Sequence, residues 1–213
     1  MTPPVAAPAR GDRRDALSDM LSIPVVQQSM SVRSESGGRF AVRFPAYDHV
    51  KFVAVLRGHF DLHIEGDARP SRLLRGDCYL LTSGRPYRIF NAPVPETDAA
   101  MLYTADRAVD GVVRWGEGPV DTVTIGARAS FFPVGAASLR DRLPPFVQLP
   151  AATEETVRFR MFLELLCGEA EGVPGATFAA DRYVGLLLIE ALRYLVRNGH
   201  SFPDQNAKSS ATP

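Results

Sequence analysis

The chain lacks an excess of either charge. Lys plus Arg total 24, Asp plus Glu total 24, and the formal net charge at pH 7 is zero. No bulk electrostatic footprint for nucleic acid or an anionic membrane is therefore present. Cysteine is scarce. Cys78 sits in a strand-like apolar run and Cys167 in a helix-like one, which suits small buried hydrophobes and not a disulfide framework or a metal pair. Long hydrophobic runs are missing too: the stretch GLLLI, Gly185–Ile189, falls far short of the roughly 20 residues a membrane span needs. No continuous apolar segment follows the N-terminal arginines, as a secretory leader would require. These absences together predict a cytoplasmic protein with no membrane partner. What the chain does have is 213 residues at 46% hydrophobic, enough for one buried core with an appendage.

Pro- and Ala-rich residues 1–11 predict a disordered N-terminus. Leu17, Met20 and Leu21 then fall at i, i+3 and i+4, the stripe of a short helix over 12–22 that Pro24 stops. From Val25 to about Val134 the grammar is short β-type runs between turn residues, among them RFAVRF, VKFVAVLRG, HFDLHIE, CYLL and YRIF. About ten such runs without an intervening long helical pattern predict an antiparallel sandwich or barrel over 12–145. After LPPFVQLP the period changes to 3.6. One helix starts near Thr153, an N-cap followed by Glu154 and Glu155 at the positive end of the dipole. A second runs from about Thr177 to Asn198 and stops at Gly199. This helical pair, 150–199, is expected to pack antiparallel. Residues 200–213 read as a disordered tail. The second helix is apolar on more than one face, because Val184, Leu186 and Ile189 lie outside the stripe of Tyr183, Leu187, Leu188, Leu192 and Leu195. Either the barrel or a second subunit must cover the surplus, so that stripe is a candidate dimerisation surface.

Catalytic signatures are also absent. No Ser–His–Asp set, Cys–His pair or phosphate-binding glycine loop stands in a recognisable context, and no catalytic residue is assigned. The segment GDCYLLTSGRPYRIFN, Gly76–Asn91, carries a different signal. Its Gly76, Thr82, Gly84, Tyr87 and Asn91 have the spacing of the second cupin motif, with Thr in place of Pro and Tyr in place of His. Anchored on Gly58, the first cupin motif puts Lys51 at its Glu position and its histidines within Phe44–Tyr47. A cupin metal needs three or four converging N and O donors, and an ammonium among them would repel the ion. No metal and no other cofactor is therefore expected.

With DALSDMLS, GGRFAVRFPAYDHVKFVAVLRG, LLRGDCYLLTSGRPYRI and DRYVGLLLIEALRYL in this order, the chain resembles the N-terminal sensor domain of AraC-type transcription regulators. The resemblance implies a mainly β, cupin-like antiparallel barrel of jelly-roll type with a short N-terminal helix and a C-terminal helix pair. It implies a ligand-sensing and dimerisation module, a small-molecule effector, and a homodimer or a heterodimer with a full-length homologue. Family members carry a helix-turn-helix domain after the helices; here a short polar tail follows Gly199, so this chain alone is not expected to bind DNA. In relatives a histidine is expected where Val53 stands and another at Tyr87. The pocket candidates are accordingly Tyr47, His49, Lys51, Val53, Tyr87 and Asn91. Tyr87 either meets a ligand or fills the space of a lost metal, and Lys51 either points inward to an anionic or carbonyl-bearing ligand or snorkels to the barrel mouth. The row His59, Asp61, His63 reads as a solvated strand face, and Trp115 as core. A metal-dependent cupin enzyme, oxygenase or isomerase, and a dimerisation scaffold with a filled barrel are the competing classes.

Overall fold

The computed structural model describes residues 26–104, 108–109, 112–131, 143–169 and 174–200. The helix expected over 12–22 and nearly all of the expected tail lie outside the described residues. Two sheets form the body. The larger has the order β12-β6-β3-β11-β1-β10-β9, built from β1 (Val26–Gly37), β3 (Val50–Arg57), β6 (Cys78–Leu81), β9 (Ala108–Val109), β10 (Val112–Gly116), β11 (Val120–Phe131) and β12 (Phe146–Leu149). The smaller has the order β5-β4-β7-β2-β8, from β2 (Ala41–Phe44), β4 (His59–Ile64), β5 (Ser71–Leu74), β7 (Tyr87–Phe90) and β8 (Thr97–Asp98). A one-turn helix, α1 (Ala99–Leu102), follows β8. The helical pair is α2 (Glu154–Gly168) and α3 (Ala176–Arg197).

The mainly β class expected from the turn-punctuated runs is present, its strands arranged in two facing mixed sheets. Most pairings are antiparallel; β1 with β10 and β2 with β8 are parallel. The layers follow from side-chain alternation. On β3, Val50, Phe52 and Ala54 face a core shared with Phe159 and Leu163 of α2 and Leu187, Leu188 and Leu192 of α3. Val53 and Val55 of the same strand face the smaller sheet, among Leu62, Tyr79, Leu81 and Tyr87. CYLL is apolar at every position because β6 is covered on both faces, its four residues all buried. The order is thus helices, large sheet, small sheet.

The helix ends match their sequence signals. Thr153 caps α2 by accepting from the Thr156 N–H, and Gly199 follows α3 at φ 84°. Glu155 pairs with Arg197 at 3.0 Å, and Glu190 with Arg158 at 2.8 Å and Arg193 at 2.7 Å. These bonds tie the start of α2 to the end of α3, so the pair is antiparallel. Glu155 and Glu190 are each only 1% exposed. No described helix is long and apolar enough to cross a membrane.

Candidate functional site

The site lies at the end of the sandwich where β3 begins. Tight turns bring its parts together. Gly84 has φ 71°, and its carbonyl accepts from Tyr47 N at 3.0 Å. A Cβ at Gly84 would stand 2.7 Å from the Tyr47 carbonyl oxygen, so glycine is required both by the dihedral and by the close approach. The link ties the loop before β3 to the turn before β7. Antiparallel pairing of β2 with β7 then sets Phe44 opposite Tyr87.

Lys51 projects between these aromatic side chains. Its Nζ donates to the Tyr87 hydroxyl oxygen at 3.0 Å and lies 4.5, 4.7 and 4.9 Å from the ring centroids of Tyr47, Tyr87 and Phe44. Phe44 and Tyr87 are stacked at 4.5 Å, and Tyr47 meets Tyr87 edge-on at 5.9 Å. Ring faces attract an ammonium, but among the described residues no carboxylate pairs with this one. Burial, assisted by the positive charge of Arg128, pushes Lys51 down to about 8. Tyr87 is pushed up by burial, which keeps its phenol protonated. His49 stands beside this cage, its ring 5.2 Å from Tyr47. Burial and the Lys51 charge hold it near 4, so its imidazole is neutral at pH 7. Its Nδ1 lies 3.4 Å from Asp48, while its buried Nε2 has no partner among the described residues.

The structure therefore gathers Tyr47, His49, Lys51 and Tyr87, with Val53 further along the same face of β3. Of the two placements open for Lys51, the inward one is found. Asn91 is not in this group. Its Oδ1 accepts from Phe40 N and its Nδ2 donates to the Gly38 carbonyl oxygen, both at 2.8 Å, so it clamps the turn between β1 and β2. The Asn of the motif spacing serves the fold here. The expected dimer stripe is likewise redirected: Leu187, Leu188 and Leu192 are at most 2% exposed and Leu195 is 9% exposed, packed into the chain's own core, with Tyr183 partly buried at its edge. The half-exposed apolar residues of the pair are Val157, Met161, Leu165 and Val196, with Phe178 more exposed still.

Two contributors carry no distinguishing mark in the sequence. Phe44 falls inside the histidine span of the first motif, where nothing local separates it from its neighbours; Arg128 has no local signal, since only the β3–β11 register sets it opposite Lys51. Nor does the site suit a cupin metal. Among the described residues no group of three or more His, Cys, Asp or Glu side chains could hold an ion, and the ammonium of Lys51 fills the space between the rings. His59, Asp61 and His63 form the outward face of β4, where Asp61 pairs with Arg72 at 2.7 Å. Trp115 packs edge-on against Phe40 at 4.8 Å.

A void of about 10 Å³, lined by Ser34, Phe60, Tyr103 and Trp115 among others, has room for about one water. A surface groove of about 210 Å³, lined by Arg43, His63, Glu65, Pro86 and Arg88, reaches Tyr87 from outside.

A Streptomyces lividans protein described as an AraC-like transcription regulator is 36% identical over 190 residues, covering 88% of this chain and 62% of its own length. Its counterpart in Streptomyces antibioticus is 35% identical over 181 residues, with 84% and 59% covered. The chain thus spans about three-fifths of the length of these curated relatives. Among solved structures, an apo ToxT variant from Vibrio cholerae matches with a TM-score of 0.47 at 7% identity, over 83% of this chain and 59% of that one. The family model for cupins matches residues 15–197. Because that match takes in both sheets, the motif turns and the helical pair, the chain belongs to the cupin family.

Proposed function

We propose that this chain is the effector-sensing module of an AraC-type transcriptional regulator, working in the cytoplasm and without enzymatic turnover. The observation that carries the reading is the Lys51 ammonium, set between three aromatic rings with no acidic partner among the described residues. A partly buried cation without a counter-charge and a buried imidazole nitrogen without a hydrogen-bond partner are costly to maintain. A small molecule presenting a carboxylate or carbonyl oxygen to Lys51, and a donor to His49, would relieve both costs. The similarity to AraC-like regulators supplies the regulatory context.

Effector binding would act by population shift, favouring whichever arrangement of the Tyr47 loop and the helical pair binds it better. Self-association belongs to the same reading. It would use the outward side of the pair, where Val157, Met161 and Leu165 recur at every fourth position of α2. Mixed dimers with a longer homologue would form in the same way. Thermal denaturation against a panel of small carboxylates and carbonyl compounds tests the sensor. An effector should raise the midpoint of the wild type reproducibly and leave K51M unmoved. No shift with any compound would leave the filled scaffold as the better description.

A further inference from the structure

Of the 24 basic residues in the chain only two are lysines, Lys51 and Lys208; all the others are arginine. Arginine supplies a permanent charge and planar hydrogen bonds but does not deprotonate in proteins. A lysine at this ring-lined position permits what a guanidinium does not, a neutral nucleophilic amine. Three features around Lys51 fit that use. Its Nζ lies among the Phe44, Tyr47 and Tyr87 rings, which disfavour water. Arg128 on the neighbouring strand adds a like charge. The Tyr87 hydroxyl is 3.0 Å from Nζ, in place for proton transfer. An apolar pocket and an adjacent cation are the two means by which a lysine becomes a Schiff-base nucleophile.

Resting on the sensor reading above, we propose that Lys51 recognises its effector covalently, by reversible condensation with an aldehyde or reactive ketone. The amine lone pair forms the C–N bond as the carbonyl π bond breaks. The oxygen takes a proton to give a carbinolamine, and loss of one water leaves the imine. Tyr87 donates its phenolic proton to the departing hydroxyl and accepts the proton shed by the nitrogen. Condensation needs no oxidant, reductant or metal, and hydrolysis returns the free amine, as a reversible sensor requires. Lys51 is partly and not wholly buried, and the loop of Tyr47 meets the turn of Ser83 with their hydroxyl oxygens 3.4 Å apart. With Lys51 held near 8, about a tenth of it is neutral at pH 7, against well under a hundredth for an ordinary lysine.

The full chain is incubated with butanal and sodium cyanoborohydride at pH 7, and the alkylated residues are mapped by peptide mass spectrometry. Lys51 should be labelled at least about tenfold faster than Lys208, given its larger neutral fraction, with the advantage abolished in guanidinium. Y87F, which keeps the ring and the lysine, should slow labelling at Lys51 about tenfold and leave Lys208 unchanged, a split that a purely structural role of the phenol would not give. Labelling of Lys51 no faster than Lys208, or a Y87F rate equal to wild type in a protein with native circular dichroism, overturns the proposal. A carboxylate that raises the wild-type midpoint while butanal fails to label Lys51 overturns the covalent step and leaves the sensor reading standing. Labelling at Lys51 with no midpoint shift for any carbonyl compound supports the chemistry and counts against the sensor.

Discussion

Lys51 and His49 put two depressed basic groups side by side, and their linkage to folding has the same sign on the two sides of neutrality: each makes the fold more stable as the pH rises through its own window. For Lys51 the folded value is about 8 against 10.5 for a free lysine. Between those values the unfolded chain holds a proton the folded chain has released, so raising the pH favours the fold. The gain should be clearest from pH 8 to 9. Above that, Cys78 and Cys167, both raised by burial, pull the other way, and Tyr79, Tyr87 and Tyr103 join them above about 10. K51M is expected to flatten this rise and to increase stability at pH 7 by about 1 kcal/mol, because a hydrophobe of similar length suits the rings without desolvating a charge; urea melts at pH 7, 8 and 9 measure both. For His49 the folded value is about 4 against 6.5. Stability is fully present above 6.5 and declines as pH falls toward 4, since only the unfolded imidazole takes up the proton there. H49F should make that acid slope shallower in the same assay. At this scale the sequence was informative: the cupin spacing pointed to positions 51 and 87, although it also nominated Asn91, whose amide serves a turn 2.8 Å away.

Among the elements, the turns and the helical pair hold the site in place by different means. The turn at Gly84 depends on a positive φ and on a backbone approach that leaves no room for a methyl group. G84A should cost about 1–3 kcal/mol and, by moving the Tyr47 loop, weaken effector binding more than the same loss of stability elsewhere would. The clasp of α2 and α3 depends on two buried carboxylates facing arginines that keep contact with solvent. Which partner is removed therefore matters. E190Q leaves only part-exposed arginines and should cost about 1–2 kcal/mol, whereas R158A with R193A strands a buried carboxylate and should cost about 3 kcal/mol or more; chemical denaturation distinguishes the two. Helix boundaries were legible because caps are local: Thr153, its following glutamates and Gly199 act within a turn of their own positions. The ion pairs were not, since Glu155 and Arg197 meet only after the chain has reversed.

At the scale of the whole molecule, three layers share one large sheet, and the helices cover the face of β3 and β6 that would otherwise be apolar surface. L192A is expected to cost about 2–5 kcal/mol and to lower the single unfolding midpoint of helices and sheet together, without changing the mass seen by light scattering; M161E, at a half-exposed position, should lower that mass and leave the midpoint nearly untouched. The physical division between sequence and structure follows from this layering. Local rules of the chain, period-two alternation, helical period, caps and turn glycines, determined by themselves that the protein is mainly β with a terminal helical pair, and that Tyr and Lys stand where a metal-binding cupin has its ligands. Only the tertiary structure decided which face each strand buries, because β6 is apolar at every position and its parity is set by what covers it. It also decided that the leucines of α3 belong to the chain's own core, and that Lys51 turns inward among Phe44, Tyr47 and Tyr87. That last outcome depends on strand register across two sheets, a long-range property that no window of the sequence contains.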